Sequence, residues 1–312
     1  MMGVTMRYWP VLILSTLFLF KGPVARGQDK PAEDQQGKVV TRKVRFGEYV
    51  QYLPKREALG VLVVVHGQPA GDDIKDIHGL AERFVKRWVP FAEEHRLLVL
   101  GPVFDNENFD SVDGNQGGGY RALYGRQIAA DAYVNDMIDR SKALVAKGWD
   151  GRIVLYGHSA GGQFTSRYVV KHPDRVRAAV ISAAGIYAMP DPTIEWPNGS
   201  APVNRTLYWG PSKEPQPISI TPNLNGWVKA SGLPITVVVG KDDTEPQKKR
   251  AGHDGSTRVE FARQWVASMN KLAERRRKKG TVRLVVVEGV GHDSARLTPA
   301  AQKALTEALD GG

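Results

Sequence analysis

The 312-residue chain contains no cysteine. That excludes disulfides and a lipoprotein-type anchor, so a folded domain has to be held by its core alone. Apolar runs are short. The one near the N-terminus, residues 9–20, is interrupted by Ser15 and Thr16 and is too short to cross a bilayer comfortably. Internal repeats are missing, and so is any nucleic-acid-binding motif. Acidic residues are the minority, 33 against 43 Lys and Arg, for a formal charge of +10. Much of that excess lies in Arg275-Arg276-Arg277-Lys278-Lys279, which reads as the solvated, dipole-matched end of a helix. No residue pattern calls for a metal or cofactor.

What is present begins with an export signal. Arg7 precedes the apolar run, and Ala25-Arg26-Gly27 offers a small-x-small cleavage site before Gln28. Residues 1–27 are therefore expected to be a signal peptide, with an uncleaved anchor as the alternative. Removing them takes away three cations and no acid, leaving +7. Export without cysteine points to a bacterial periplasmic or extracellular protein. Residues 28–37 are polar and read as a flexible lead-in. The remainder is long enough for one large domain that buries roughly three quarters of its unfolded surface.

From residue 38 onward, short apolar runs alternate with helical spacing. The runs at 61–65, 97–100, 153–156, 178–181, 235–239 and 284–287 suit strands buried on both faces of a parallel sheet. Leu80, Phe84 and Trp88 share one helix face, with Pro90 expected to end or kink that helix. Ile128, Ala132, Ile138 and Val145 mark a second helix. Val259, Ala262, Val266, Met269 and Ala273 mark a third, capped by Ser256 and closed by Gly280. The alternation predicts an α/β fold, a mainly parallel sheet with helices on both faces. Residues 189–233 break the rhythm. They are rich in Pro, Asn, Ser and Gly, carry scattered Trp, and read as an inserted cap over the C-terminal edge of the sheet.

The chemistry concentrates at Gly157-His158-Ser159-Ala160-Gly161, a G-x-S-x-G between an apolar run and a helical segment. There a sharp strand-to-helix turn would lift the Ser159 hydroxyl above the sheet edge, beside the positive end of a helix. A serine nucleophile needs a base, and the base needs an orienting acid. His292, just past the apolar run 284–287, is the expected base. His253, in a polar stretch before a helix, is expected to be a surface residue. The acid is expected just past 235–239, where Asp242 and Asp243 both stand, with Glu245 a distant third. The backbone N–H groups of Ala160 and of Gln68, after His66-Gly67, are the expected oxyanion donors. His66 is expected to hold that loop, and His158 to pack beside the nucleophile.

These residues resemble the α/β-hydrolase superfamily from about residue 58 to the C-terminus. The His-Gly loop, the elbow, a Gly-x-x-Asp turn at Gly240 to Asp243 and the Gly-His end fall in order. The resemblance implies a mostly parallel sheet of about eight strands, with residues 38–54 supplying the first antiparallel strands, and it favours Asp243 as the acid. Gly157 to Phe164 and Gly289 to Asp293 are similar to secreted esterases and polyhydroxyalkanoate-depolymerase-like proteins. Depolymerases of that branch often carry disulfides, which this chain has no cysteine to form. The implied activity is a serine ester hydrolase acting on a small-molecule or polymer-derived ester. The alternatives are a peptidase of the same fold and a non-catalytic binding protein on this scaffold.

Overall fold

In the computed structural model, residues 35–112, 118–209, 213–277 and 280–311 are described, all within the unit Pro31–Gly312. The expected signal peptide and most of the lead-in lie outside the described residues. The chain opens with β1 (Val39–Val44), β2 (Gly47–Tyr52) and β3 (Gly60–Val65), followed by α1 (Ile77–His95), β4 (Leu97–Pro102) and a one-turn α2 (Asn106–Phe109). Next come α3 (Ala130–Ser141), β5 (Ile153–His158), α4 (Ala160–Lys171) and β6 (Val176–Ser182). After β7 (Val203–Trp209), β8 (Glu214–Ile220) and α5 (Leu224–Ala230), the chain ends with β9 (Ile235–Gly240), α6 (Arg258–Arg275), β10 (Arg283–Val287) and α7 (Ser294–Asp310).

Eight strands form one sheet in the order β1-β2-β4-β3-β5-β6-β9-β10. The β1/β2 and β2/β4 pairs are antiparallel, and all the others are parallel. This is the α/β-hydrolase arrangement. The apolar runs form strands because both faces are covered. Side chains alternate along β3: Val61, Val63 and Val65 enter one core, while Leu62 and Val64 enter the other. The first core is closed by residues of α3, α4, α5 and α6, among them Tyr133, Phe164, Trp227 and Trp265. The second is closed by α1 and α7, through Phe84, Trp88 and Leu297.

Several local expectations are corrected. The first helix does not stop at Pro90. It runs on to His95, because Phe91 and Ala92 are buried in the α1 side of the core and that burial outweighs one lost backbone bond. The second helix is shorter than its spacing implied: Ile128 precedes it, and Val145 follows a 3-10 turn after Ser141. The third starts one residue later than expected. Thr257, not Ser256, is the cap: its hydroxyl accepts the Glu260 N–H, and the Glu260 carboxylate accepts the Thr257 N–H. It ends at Arg275, before Gly280.

The stretch expected to be a cap over 189–233 divides into three parts. The Trp196 indole is buried and donates to the Ala122 carbonyl, which ties 189–202 into the body of the domain. The antiparallel pair β7/β8 docks on the α2 region, where the Trp209 indole donates to the Glu107 carbonyl. The last part, α5, is a core helix. Trp227 is buried, and its indole shares the Ala188 carbonyl with the indole of Trp265 on α6.

The cap of α6 can be measured directly. Thr257→Ala should lower the unfolding free energy by about 1 kcal/mol, read from urea denaturation. Ser256 donates to Glu260 but does not cap the helix, so Ser256→Ala should cost less. The reverse order would move the helix start back by one residue.

Candidate active site

Ser159 sits between β5 and α4 with φ 53° and ψ −113°, a left-handed conformation rare for a residue with a side chain. Its neighbours make that turn possible. A Cβ on Gly157 would collide with the Gly161 carbonyl oxygen, and one on Gly161 would collide with that of Val65. Only glycine lets these backbone segments approach so closely. The turn is tied to the sheet by the Ser159 N–H, which donates to the Ser182 carbonyl at 2.8 Å.

The parallel sheet then gathers residues distant in sequence. Asp243 follows β9 and His292 follows β10. The two loops are joined by backbone bonds from Lys241 N–H to Val287 and from Asp242 N–H to Val290. His292 Nε2 lies 2.9 Å from Ser159 Oγ, and its Nδ1 lies 2.7 Å from Asp243 Oδ2. With the proton on Nδ1, the imidazole donates to Asp243 and accepts from the Ser159 hydroxyl. Asp242 is exposed and its side chain takes no part. Glu245 is exposed as well, but it reaches the site indirectly through Arg258.

Arg258, at the start of α6, had no signal in sequence reasoning. Its Nη1 donates to Asp243 Oδ1 at 2.5 Å and its Nη2 to Glu245 Oε2 at 2.9 Å. Asp243 is 3% exposed, and each of its oxygens is held by a different cationic or hydrogen-bonding group. Burial pushes its carboxyl up, but the His292 contact and the Arg258 charge outweigh that and hold it below the usual carboxylate range.

The three fully buried histidines are structural. His66 is buried. Its Nδ1–H donates to the Gly67 carbonyl at 2.7 Å, and its Nε2 accepts the Phe104 N–H. Burial holds it down at about 4. His158 packs its ring 4.9 Å from that of His292, and burial, with the His292 charge adding, pushes it down to about 3. His253 is not on the surface. It is 3% exposed, and its Nε2 accepts the Tyr187 N–H at 3.1 Å. The polar residues around it misled, because its ring packs between Phe261 and Tyr187.

The loop carrying Gln68 lies against the elbow: a Cβ on Gly67 would stand 3.5 Å from that of Ser159. The Gln68 side chain accepts from Arg121 and donates to the Val112 carbonyl. Gln68, Ala160 and Ser159 together line a cleft of about 820 Å³. Its walls also carry Gln163 and Arg167, four and eight residues past Ser159 on α4. Helical periodicity could have placed both on the same face of α4 as Ser159. Among the described residues, no group of His, Asp and Glu is arranged to hold a metal ion.

The family described as serine aminopeptidase, S33, matches residues 114–309. No curated protein matches the sequence. Among solved structures, the chain is similar to poly(aspartic acid) hydrolase-1 from Sphingomonas sp. KT-1. Identity is 24% over 86% of this chain and 98% of that one, with a TM-score of 0.65. It is also similar to a poly(3-hydroxybutyrate) depolymerase from Bordetella parapertussis, with 22% identity, 85% and 84% coverage and a TM-score of 0.57. A fluorophosphonate-binding serine hydrolase of Staphylococcus aureus shares the fold at 15% identity, 87% and 97% coverage and a TM-score of 0.50.

The buried histidines set a pH dependence. His66, His158 and His253 are held neutral below their ordinary value, so the unfolded chain binds more protons than the folded one between about pH 6.5 and 4. Stability is then full above the unfolded value and falls as pH drops through that window. The slope is up to about 1.4 kcal/mol per pH unit for each such histidine. Urea unfolding at pH 7 and pH 5 should show this loss before most carboxylates titrate. Equal stability at the two pH values would mean these rings are protonated in the folded protein.

Proposed function

The chain belongs to the serine aminopeptidase S33 family, and from that premise we propose that it cleaves carboxylic esters through an acyl-enzyme on Ser159. The observation that carries the proposal is the unbroken hydrogen-bond chain from Ser159 Oγ through His292 to buried Asp243, at a serine with positive φ. A binding protein on this scaffold would have no need of that chain.

In the proposed reaction Ser159 Oγ attacks the ester carbonyl carbon while its proton moves to His292 Nε2. The carbonyl oxygen becomes an oxyanion, received by the N–H groups of Ala160 and Gln68. Asp243, kept ionised by its partners, steadies the imidazolium. Collapse breaks the carbon–oxygen bond to the alcohol, which leaves with the His292 proton. A water then gives its proton to His292 and attacks the acyl carbon, and the acid departs as Ser159 takes its proton back.

A peptidase reading is the second candidate, favoured by the description of the matching family. It differs only in the leaving group: an amine must take the His292 proton before it departs. One solved relative is a hydrolase of poly(aspartic acid), which widens the candidate substrates to polymer amides. Export belongs to the same proposal. It rests on the apolar run 9–20 and Ala25-Arg26-Gly27, and N-terminal sequencing of protein from its host should find a start near Gln28.

Ser159→Ala should abolish fluorophosphonate labelling and lower turnover by roughly a million-fold, with the circular dichroism spectrum unchanged. Asp243→Asn should cost about ten-thousand-fold, and Asp242→Asn should have little effect. The assay is turnover of 4-nitrophenyl esters and of amino-acid anilides by the same proteins. Labelling that survives in the serine variant would assign the nucleophile elsewhere. Loss in Asp242→Asn rather than Asp243→Asn would move the acid by one residue.

A further inference from the structure

The walls of the cleft beside Ser159 are charged in one sign. Among the described residues, six cationic side chains line it, Arg121, Arg167, Arg205, Lys248, Arg250 and Arg258, against a single carboxylate, Glu245. That carboxylate is already engaged by Arg258. Among the described residues none of the other five is in a salt bridge, although ion pairs are common elsewhere on the chain.

Arg167 is the most telling. It is 1% exposed, and its hydrogen-bond partners among the described residues are all neutral. Its Nε donates to the Pro197 carbonyl, and its Nη1 to the carbonyls of Arg121 and Gln163. Among the described residues Nη2 has only the Asn198 side-chain oxygen, at 3.5 Å, so one of its N–H bonds has no acceptor there. A buried guanidinium is costly unless something anionic compensates it. Burial, with the Arg121 charge adding, pushes Arg167 down to about 9, so it is still charged at neutral pH. It stands eight residues along α4 from Ser159, about 12 Å at the rise of an α-helix.

We propose that this cleft is a polycarboxylate-binding subsite, and that the chain cleaved at Ser159 carries repeated carboxylates recognised by Arg167, Arg121, Arg205, Lys248 and Arg250. The cations come from separate elements: a 3-10 turn, α4, β7 and the loop before α6. That spacing suits a chain with several anions better than one compact anionic group. A phosphodiester chain would match the charge but offers no acyl bond to Ser159. The inference rests on the hydrolase reading for the cleavage, but binding can be tested apart from it.

Two measurements separate the claims. The first compares kcat/KM for the mono-4-nitrophenyl ester of suberate with that for 4-nitrophenyl octanoate, its neutral counterpart. The anionic ester should be favoured about tenfold at low salt, with the preference shrinking at about 0.3 M NaCl. Arg205→Gln and Arg250→Gln should lower that ratio several-fold, while Lys303→Gln, outside the cleft, should leave the ratio as it is. Arg167→Gln should lower it most, and the two surface variants carry the test if that protein does not fold. The second measurement titrates fluorescent poly(L-glutamate) into Ser159→Ala protein, where no turnover is needed. Binding should be salt-sensitive, weakened in the Arg205 and Arg250 variants and kept in Lys303→Gln. Inorganic polyphosphate that binds equally well would overturn the carboxylate assignment. Ester turnover with no charge preference and no polyglutamate binding would overturn the subsite and leave the hydrolase intact. Binding without any turnover or labelling of the wild-type chain would do the reverse.

Discussion

The site depends on one backbone conformation, the positive φ of Ser159. Such a conformation costs about 1–3 kcal/mol and persists only where its surroundings over-determine it. Here they do. The Ser159 N–H is fixed to Ser182 on β6, its carbonyl accepts from Gln163 in α4, and the flanking glycines let the turn press against Gly161 and Val65. The strain is therefore carried by the middle of the sheet, where β5 is paired on both sides. That position sets where the hydroxyl stands, and His292 reaches it only because β9 and β10 end at the same edge.

The second constraint is electrostatic. A carboxylate as buried as Asp243 would ordinarily resist ionisation. It is held ionised by dividing its oxygens between His292 and Arg258, and the Arg258 charge is in turn shared with Glu245. This arrangement locks the carboxylate plane and hence the tautomer of His292. The neutral histidines around it support the same geometry. His66 holds the loop next to the elbow through Phe104, and His158 packs against the His292 ring without adding charge.

Much of the fold was legible because a parallel sheet covered on both faces imposes continuous apolar runs, and five of the six predicted runs fall inside parallel strands that pair as expected. The sixth, 97–100, pairs parallel with β3 on one side and antiparallel with β2 on the other. Less legible were features decided by tertiary contact. α1 continues through Pro90 because Phe91 and Ala92, directly after it, are buried. The β7/β8 pair escaped notice because few of its side chains are buried and β8 contains Pro215 and Pro217, residues tolerated on edge strands. In the site, a local motif marks Ser159, and position after a strand marks His292. The choice between Asp242 and Asp243 needed the turn itself. Arg258 was invisible because its meaning lies in what it packs against, and helical spacing could place Arg167 on one face of α4 but not show that it is buried.

Stability and specificity are drawn from different parts of the chain. The three residues of the hydrogen-bonded chain stand just past β5, β9 and the edge strand β10, whose side chains are shared between the two cores. The cations of the cleft come mostly from connecting segments: Arg121 from a 3-10 turn, Arg205 from β7, Lys248 and Arg250 from the β9–α6 loop. Arg258, at the start of α6, and Arg167 are the exceptions, and Arg167 is the more buried of the two. It sits on α4 itself, buried and bonded to carbonyls of 121, 163 and 197. One side chain thus ties the 3-10 turn and the 189–202 segment to the helix that begins just after Ser159.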